Sequence, residues 1–167
     1  MITYKTGSLL DQQGILAHVV NDANKMGAGV ALALSKKWPR VKQWYHHWFK
    51  TSPLFIPLSL NDCVADYDNP AKLGRIQLVQ VDQNVIVCNM IGQSDPGGFM
   101  QLPPIRYQSL EECLMRLKIV SKQLQMPVHI PRIGCSLAGG SWAVVEEIIN
   151  RVGLDVTVWD IDNNWNP

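Results

Sequence analysis

The sequence predicts an α/β fold built on a mixed sheet, and three observations predict it. Short apolar runs alternate along the chain with segments of helical periodicity. Two of those runs, Ile15 to Val20 and Val128 to Ile133, end in glycine-rich turns that lead into helices. Two others, Ile76 to Val81 and Asn84 to Met90, are joined around Asp82-Gln83 as a hairpin, which makes part of the sheet antiparallel.

Taken in order, Ile2 to Lys5 reads as a first strand broken at Gly7, and Ile15 to Val20 as a second, buried one. A turn through Gly27, Ala28 and Gly29 opens a helix from about Gly29 to Lys37, with Pro39 as its stop. Val41 to Phe49 reads as a helix rich in aromatics and histidines. After the hairpin, Pro103-Pro104 opens a long helix to about Gln125. Its apolar positions Leu110, Leu114, Leu117, Val120 and Leu124 keep helical spacing, and Ser109 with Glu112 has capping-box spacing. The strand Val128 to Ile133 leads to the second glycine turn, Gly134 to Gly140. Ser141 stands at the cap position of a helix from Trp142 to Val152, which stops at Gly153, and Val156 to Trp159 is a last strand.

Composition bounds the function classes. The chain has 167 residues, 47% of them hydrophobic and 17% charged, which fits a globular domain and excludes a disordered one. A net charge of +1 gives no strong field to recruit nucleic acid or an anionic membrane. The start lacks the apolar core of a signal peptide, and no apolar run approaches the roughly 20 residues that span a bilayer. Cys63, Cys88, Cys113 and Cys135 are spread out without a CxxC pair, so neither a disulfide framework nor a zinc site is expected. The reading is a single-domain, reduced, cytoplasmic protein with no metal and no resident cofactor.

In α/β sheets ligands sit outside the carboxyl ends of strands, and both glycine turns fall there. Small residues let a ligand approach the backbone closely, and a helix N-terminus offers free N–H groups and a positive dipole end. The first bet is therefore an anionic, phosphate-bearing small ligand in one shared pocket. Asn21, Asp22 and Asn24 can bond sugar hydroxyls, or instead only their own backbone in a turn. The rival dinucleotide fingerprint fails: five residues, Asp22 to Met26, separate the strand from Gly27, and Leu32 stands where the third glycine belongs. About 20 residues on, Trp44-Tyr45-His46-His47-Trp48 replaces the expected acidic residue. The P-loop pattern is absent too, since neither Lys36 nor Lys37 follows a glycine.

These motifs together resemble the macro domain, a module that binds ADP-ribose. VNDAN matches the family's VNAAN at four of five positions. HVVNDANKMGAGVALALSKKWP is most similar to the branch containing the terminal ADP-ribose protein glycohydrolase and yeast and phage ADP-ribose-1″-phosphate phosphatase-like proteins. Thr6-Gly7-Ser8-Leu9-Leu10, Asn89-Met90-Ile91-Gly92-Gln93 and IPRIGCSLAGGSW carry the likeness from about residue 2 to residue 160. The resemblance implies one macro-type domain over 1–167, a three-layer α/β/α sandwich with a mixed central sheet. It implies that Gly27, Ala28, Gly29 and Val30 meet the diphosphate and distal ribose, and that Asn21 and Asn24 lie along that ribose. Gly134, Cys135, Ser136, Leu137, Ala138 and Gly139 would close over the phosphates from the other side, with Ser8 and Leu9 at the adenine end and Gln93 near the distal ribose.

Departures from the family weigh on the chemistry. Ser8 replaces the adenine-contacting aspartate, so adenine selectivity is expected to be modest. Gln93 stands where the branch's glycohydrolase has its attacking lysine, and Ala138 where it has the assisting aspartate. An amide cannot form a Schiff base and a methyl cannot move protons, so the lysine-dependent mechanism is absent. Remaining candidates for hydrolysis are Asn24 and Asp22 positioning a water, with His18 as acid or base, although a histidine inside an apolar strand also reads as a core residue. Cys135 is a candidate nucleophile only with a lowered pKa. Expected partners are ADP-ribose or an ADP-ribosylated substrate, with no membrane, and nucleic acid only as an ADP-ribosylated substrate. The expected function is binding of ADP-ribose or a derivative with hydrolysis at the distal ribose. The alternatives are a non-catalytic ADP-ribose-binding module and, more weakly, RNA binding through the basic aromatic segment Lys36 to Lys50.

Overall fold

A mixed sheet with helices on both faces organises the computed structural model, which describes residues 1–50, 65–67, 70–94, 103–135 and 138–161. Among the described residues the elements are β1 (Ile2–Thr6), β2 (Gly14–Asn21), α1 (Gly29–Lys37), α2 (Pro39–Lys50), β3 (Ala65–Tyr67), β4 (Ile76–Asp82) and β5 (Val85–Gln93). They continue with α3 (Tyr107–Leu124), β6 (Val128–Ile130), α4 (Trp142–Val152) and β7 (Val156–Asp160). The described strands form one sheet in the order β1-β7-β6-β2-β5-β4-β3. Neighbours from β1 to β5 run parallel, and β4 is antiparallel to both β5 and β3. The hairpin of β4 and β5 is the antiparallel part that the sequence predicts.

The period-2 alternation of the central strands builds two cores. Ile15 and Ala17 of β2, with Cys88 and Met90 of β5, pack under Leu110, Leu114 and Leu117 of α3 and Trp142, Val145 and Ile149 of α4. Leu16, Val20, Val87 and Ile91 face the other way, onto Leu34 of α1 and Val41, Tyr45 and Trp48 of α2. The result is the α/β/α sandwich. Strands buried on both faces read as continuous apolar runs, which is why β2 and β5 stood out in the sequence.

Several boundaries differ from expectation for local reasons. Pro39 does not merely stop α1: it opens α2, where its missing N–H and fixed φ suit a first helical position. α3 starts at Tyr107 with Arg106 at the cap position and no side-chain cap, so Ser109 and Glu112 form no capping box. Its last apolar position, Leu124, is 44% exposed and lies off the core. β6 ends at Ile130 because Pro131 has no N–H for the ladder, and Ile133 N–H turns back to the Pro131 carbonyl. Ser141 occupies the cap position of α4, but its side chain makes no capping bond; its N–H donates to the Tyr107 hydroxyl. The short edge strand β3 was not anticipated. The segments Asp95-Pro96-Gly97-Gly98 and Asp162 to Pro167, and Cys63, lie outside the described residues.

Candidate functional site

A cavity of about 500 Å³ opens at the carboxyl ends of β2 and β6. One wall is the end of β2 from His18 to Asn21 with the first glycine turn, Lys25 to Ala31; the other is the second turn, Pro131 to Cys135 with Ala138, and Gln93 from β5 completes it. The two glycine turns thus face one space. α1 begins at its rim: Ala28 holds the cap position with no side-chain cap, so the first-turn N–H groups carry no side-chain oxygen. A Cβ added to Gly27 would meet nothing within 4 Å, and its φ lies outside the left-handed region. Packing therefore does not demand a glycine there; open space on that side does.

The second turn is built tightly. Gly140 N–H donates to the Gly134 carbonyl at 2.8 Å, and a Cβ on Gly140 would run into that same oxygen. Gly134 has φ +75 and its Cβ position lies against Ile105. The Ala138 carbonyl accepts from Ile105 N–H at 3.1 Å, which ties the turn to the segment before α3. Gly139 lies beyond the cavity lining, and Ser136 and Leu137 are outside the described residues. Burial pushes the Cys135 thiol above its ordinary value, and its sulfur lies 3.6 Å from the Ile133 carbonyl, so the condition set for it as a nucleophile is not met.

His18 lines the cavity from below but is only 2% exposed, and its bonding fixes its state. Gln77 Nε2–H donates to the Trp44 carbonyl at 2.8 Å, so its Oε1 must face Asn89, whose Nδ2–H donates to it at 2.9 Å. Asn89 Oδ1 is then the acceptor for His18 Nε2–H at 2.5 Å. This polar chain crosses β2, β5 and β4 beneath α2 and leaves His18 Nδ1 buried and unprotonated, with no bonding partner. Burial pushes the His18 pKa down to about 4, against a smaller raising effect of Asn89. His18 is neutral and a very weak base near pH 7, which corrects its reading as an acid–base residue at that pH.

The loop asparagines divide the work differently from the expectation. Asn21 is 5% exposed and its side chain is committed to the loop: Oδ1 accepts from Ala23 and Lys25 N–H, and Nδ2–H donates to the Lys25 carbonyl at 2.6 Å. The Tyr45 hydroxyl lies 2.8 Å from both oxygens of Asn21. Asn21 therefore shapes the cavity wall, with its side-chain oxygen and one of its two amide hydrogens engaged by the loop and Tyr45. Asn24 stands at φ +59 with its Oδ1 2.5 Å from His46 Nδ1, and it lies outside the cavity lining.

Asp22 does not line the cavity; it borders a second, more open depression with Lys72, Arg75, Glu112 and Arg116. Its N–H donates to the Gln93 carbonyl at 3.0 Å, at the bulge where the β2–β5 register shifts. Ser8 and Leu9 do not line the cavity either. The Ser8 hydroxyl accepts from Leu10 N–H at 3.2 Å, capping a short 3-10 turn, and Leu9 is buried in the core under α1 and α2.

Sequence reasoning missed two cations of the lining, Lys25 and Arg132. Arg132 makes a bidentate pair with Asp160, both contacts 2.8 Å, and its guanidinium lies 5.0 Å from the Tyr4 ring and 5.1 Å from Trp142. The signal was faint: Arg132 adjoins the glycine turn, but its partner is 28 residues away. The aromatic helix proposed for RNA is spent on packing. Tyr45 and Trp48 are buried, and Trp38, Trp44 and Phe49 pack against the same core. Among the described residues there is no cluster of His, Cys, Asp or Glu fit to hold a metal, and no helix long and apolar enough to cross a membrane.

No family model matches the chain. It is 26% identical over 152 residues to an ADP-ribose 1″-phosphate phosphatase of Lodderomyces elongisporus, covering 89% of this chain and 87% of that one. A solved structure from Bacteroides thetaiotaomicron matches with a TM-score of 0.79 and 34% identity, over 96% of this chain and 98% of that chain. The solved macrodomain protein from Streptomyces coelicolor is 35% identical, with a TM-score of 0.71, over 96% of this chain and 99% of that one. With that identity along nearly the whole of both chains, and the same layered sheet, this chain belongs to the macrodomain family.

Proposed function

We propose that the chain binds ADP-ribose or a close derivative in the cavity between the two glycine turns, as one macro-type unit over 1–167. The observation that carries this reading is the joint lining: both turns, an uncapped helix start and an unforced glycine at position 27 face one space of about 500 Å³. That volume falls within the roughly 300–1,000 Å³ usual for small-ligand sites. In this reading the N–H groups of Gly27 to Val30 and the second turn hold the diphosphate, with Lys25 adding positive charge, and Asn24 reads the distal ribose at the rim.

The geometry favours binding over turnover. Gln93 and Ala138 offer no nucleophile or proton carrier, His18 is neutral near pH 7, and the Cys135 thiol is raised. Hydrolysis of a group at the distal ribose is the second reading, favoured by the likeness to the Lodderomyces phosphatase. It would run through water held by Asn24 at the rim, with Asp22 brought in from the neighbouring depression.

Calorimetric titration with ADP-ribose, alongside incubation with ADP-ribose 1″-phosphate scored for released phosphate, tests both. Saturable binding of ADP-ribose with no phosphate release supports the binder. Release that stops in Asn24→Ala while binding persists supports the hydrolase. Absence of saturable ADP-ribose binding refutes the assignment of the cavity.

A further inference from the structure

We propose that His46 is the positioning residue of the site: its Nδ1–H holds the side-chain oxygen of Asn24, so that the amide turns its NH₂ group to the ligand. The proposal rests on the reading of the cavity as an ADP-ribose site. It assigns a function to the aromatic-rich helix α2, which otherwise reads as packing alone.

α2 is anchored by Val41, Tyr45 and Trp48, none more than 1% exposed. Those anchors bring two consecutive side chains to the first loop: Tyr45 meets Asn21, and His46 meets Asn24 at 2.5 Å. The His46 ring is half-buried and lies 5.4 Å from the Tyr45 ring, which restricts its rotation. The Asn24 backbone is left-handed at φ +59, a conformation asparagine tolerates better than most residues. What the backbone does not settle is which end of the amide faces outward, because rotation about its last torsion is soft and roughly two-fold.

His46 settles it. A neutral imidazole carries one N–H, and against an amide oxygen that hydrogen must sit on Nδ1. Burial, together with Lys42 and Lys50 on the same helix, disfavours the protonated ring. Asn24 is thereby presented as a donor. It selects a ligand oxygen that can accept, such as a ribose hydroxyl or a phosphate oxygen.

Two measurements on the full chain test this. Nitrogen-15 NMR of the imidazoles near pH 7.5 should show His46 as the Nδ1–H tautomer, reverting to the Nε2–H form usual for free imidazole in Asn24→Ala. Calorimetry should show ADP-ribose binding weakened by about three- to tenfold in His46→Leu, the loss expected of one hydrogen bond. His46→Asn, whose amide nitrogen falls where Nδ1 stood, should restore affinity to within about threefold on the same scale. In an Asn24→Ala background, His46→Leu should cost nothing further. An Nε2–H tautomer in the wild-type chain, an unchanged affinity in His46→Leu, or the same loss with and without Asn24 would each overturn the proposal alone. A wild-type chain that does not bind ADP-ribose overturns the cavity reading and this proposal with it.

Discussion

Acidification probes the buried polar chain beneath the cavity through a single residue. His18 has a folded pKa of about 4 against an ordinary value of 6.5. More than about one unit above pH 6.5 the ring is neutral in both states and contributes no pH dependence. Between pH 6.5 and 4 the unfolded chain binds a proton that the folded chain refuses, so stability falls as pH falls. The slope is about 1.4 kcal/mol per pH unit, giving a total loss of about 3 kcal/mol by pH 4. For a domain of this size that corresponds to a fall in Tm of about 6–12 °C. His46, His129, Glu111 and Asp155 also have shifted pKa values, so the wild-type curve alone does not isolate the effect. His18→Gln does. Its amide nitrogen reaches about as far as Nε2, can donate to Asn89 and does not titrate, although its Oε1 and second N–H take the place of the unpartnered Nδ1. Urea unfolding of both proteins from pH 7.5 to 4 should show the variant, whatever its stability at pH 7.5, about 3 kcal/mol less sensitive to acid. Parallel stability curves for the two proteins would refute the account of His18 as a neutral, buried member of that chain.

The remaining expectations concern the loops. Gly29→Glu should place a carboxylate where the diphosphate is proposed to lie and abolish calorimetric binding of ADP-ribose; unchanged affinity would sink that placement. Gly140→Ala must displace the Gly134 carbonyl, and should lower Tm by about 3–10 °C, the range expected for about 1–3 kcal/mol of overpacking; an unchanged Tm would mean the turn is softer than it looks. Asp160→Ala should leave the Arg132 guanidinium without its bidentate partner and cost about 2 kcal/mol in chemical denaturation, as for lost hydrogen bonds to a charged group. Because Ser8 stands where the family has an aspartate and its hydroxyl oxygen accepts from Leu10 N–H, affinity for ADP-ribose and for an analogue with another base should differ by less than about tenfold in competition binding, roughly one hydrogen bond.

Which parts of this molecule were legible in its sequence follows from the range of the interactions involved. α1 and α4 begin and end where the sequence places them, since glycine turns, the Ser141 cap position and Gly153 are local signals. The start of α3 was misread because its cap position is filled by Arg106, whose guanidinium bonds the carbonyls of Pro104 and Ile105, and no side-chain rule announces that. β3 is three residues long and, among the described residues, pairs with β4 alone, too short to show periodicity. The two glycine turns were identifiable as a shared site because both sit at strand ends, and strand direction in a parallel sheet brings such ends together.

Side-chain roles were harder, because each is decided by a partner distant in the chain. Nothing near Asn21 shows that Tyr45, 24 residues on, fixes it, and nothing near His18 shows Asn89, 71 residues away. Asn21 and Asn24 are equivalent in the motif VNDAN, yet one is engaged by the loop and lines the cavity while the other lies outside the lining and meets His46. The difference arises in α2, where residues 45 and 46 point to the two asparagines in turn. A helix whose aromatic face suggested nucleic acid instead buries that face, and with its next residue sets the geometry of the loop. If that geometry supports turnover, the proton carrier must be a group other than His18 and Cys135, since His18 is held neutral and Cys135 protonated near pH 7. The pH profile of any phosphate release would then show no limb near 4 that disappears in His18→Gln; such a limb would return His18 to the chemistry.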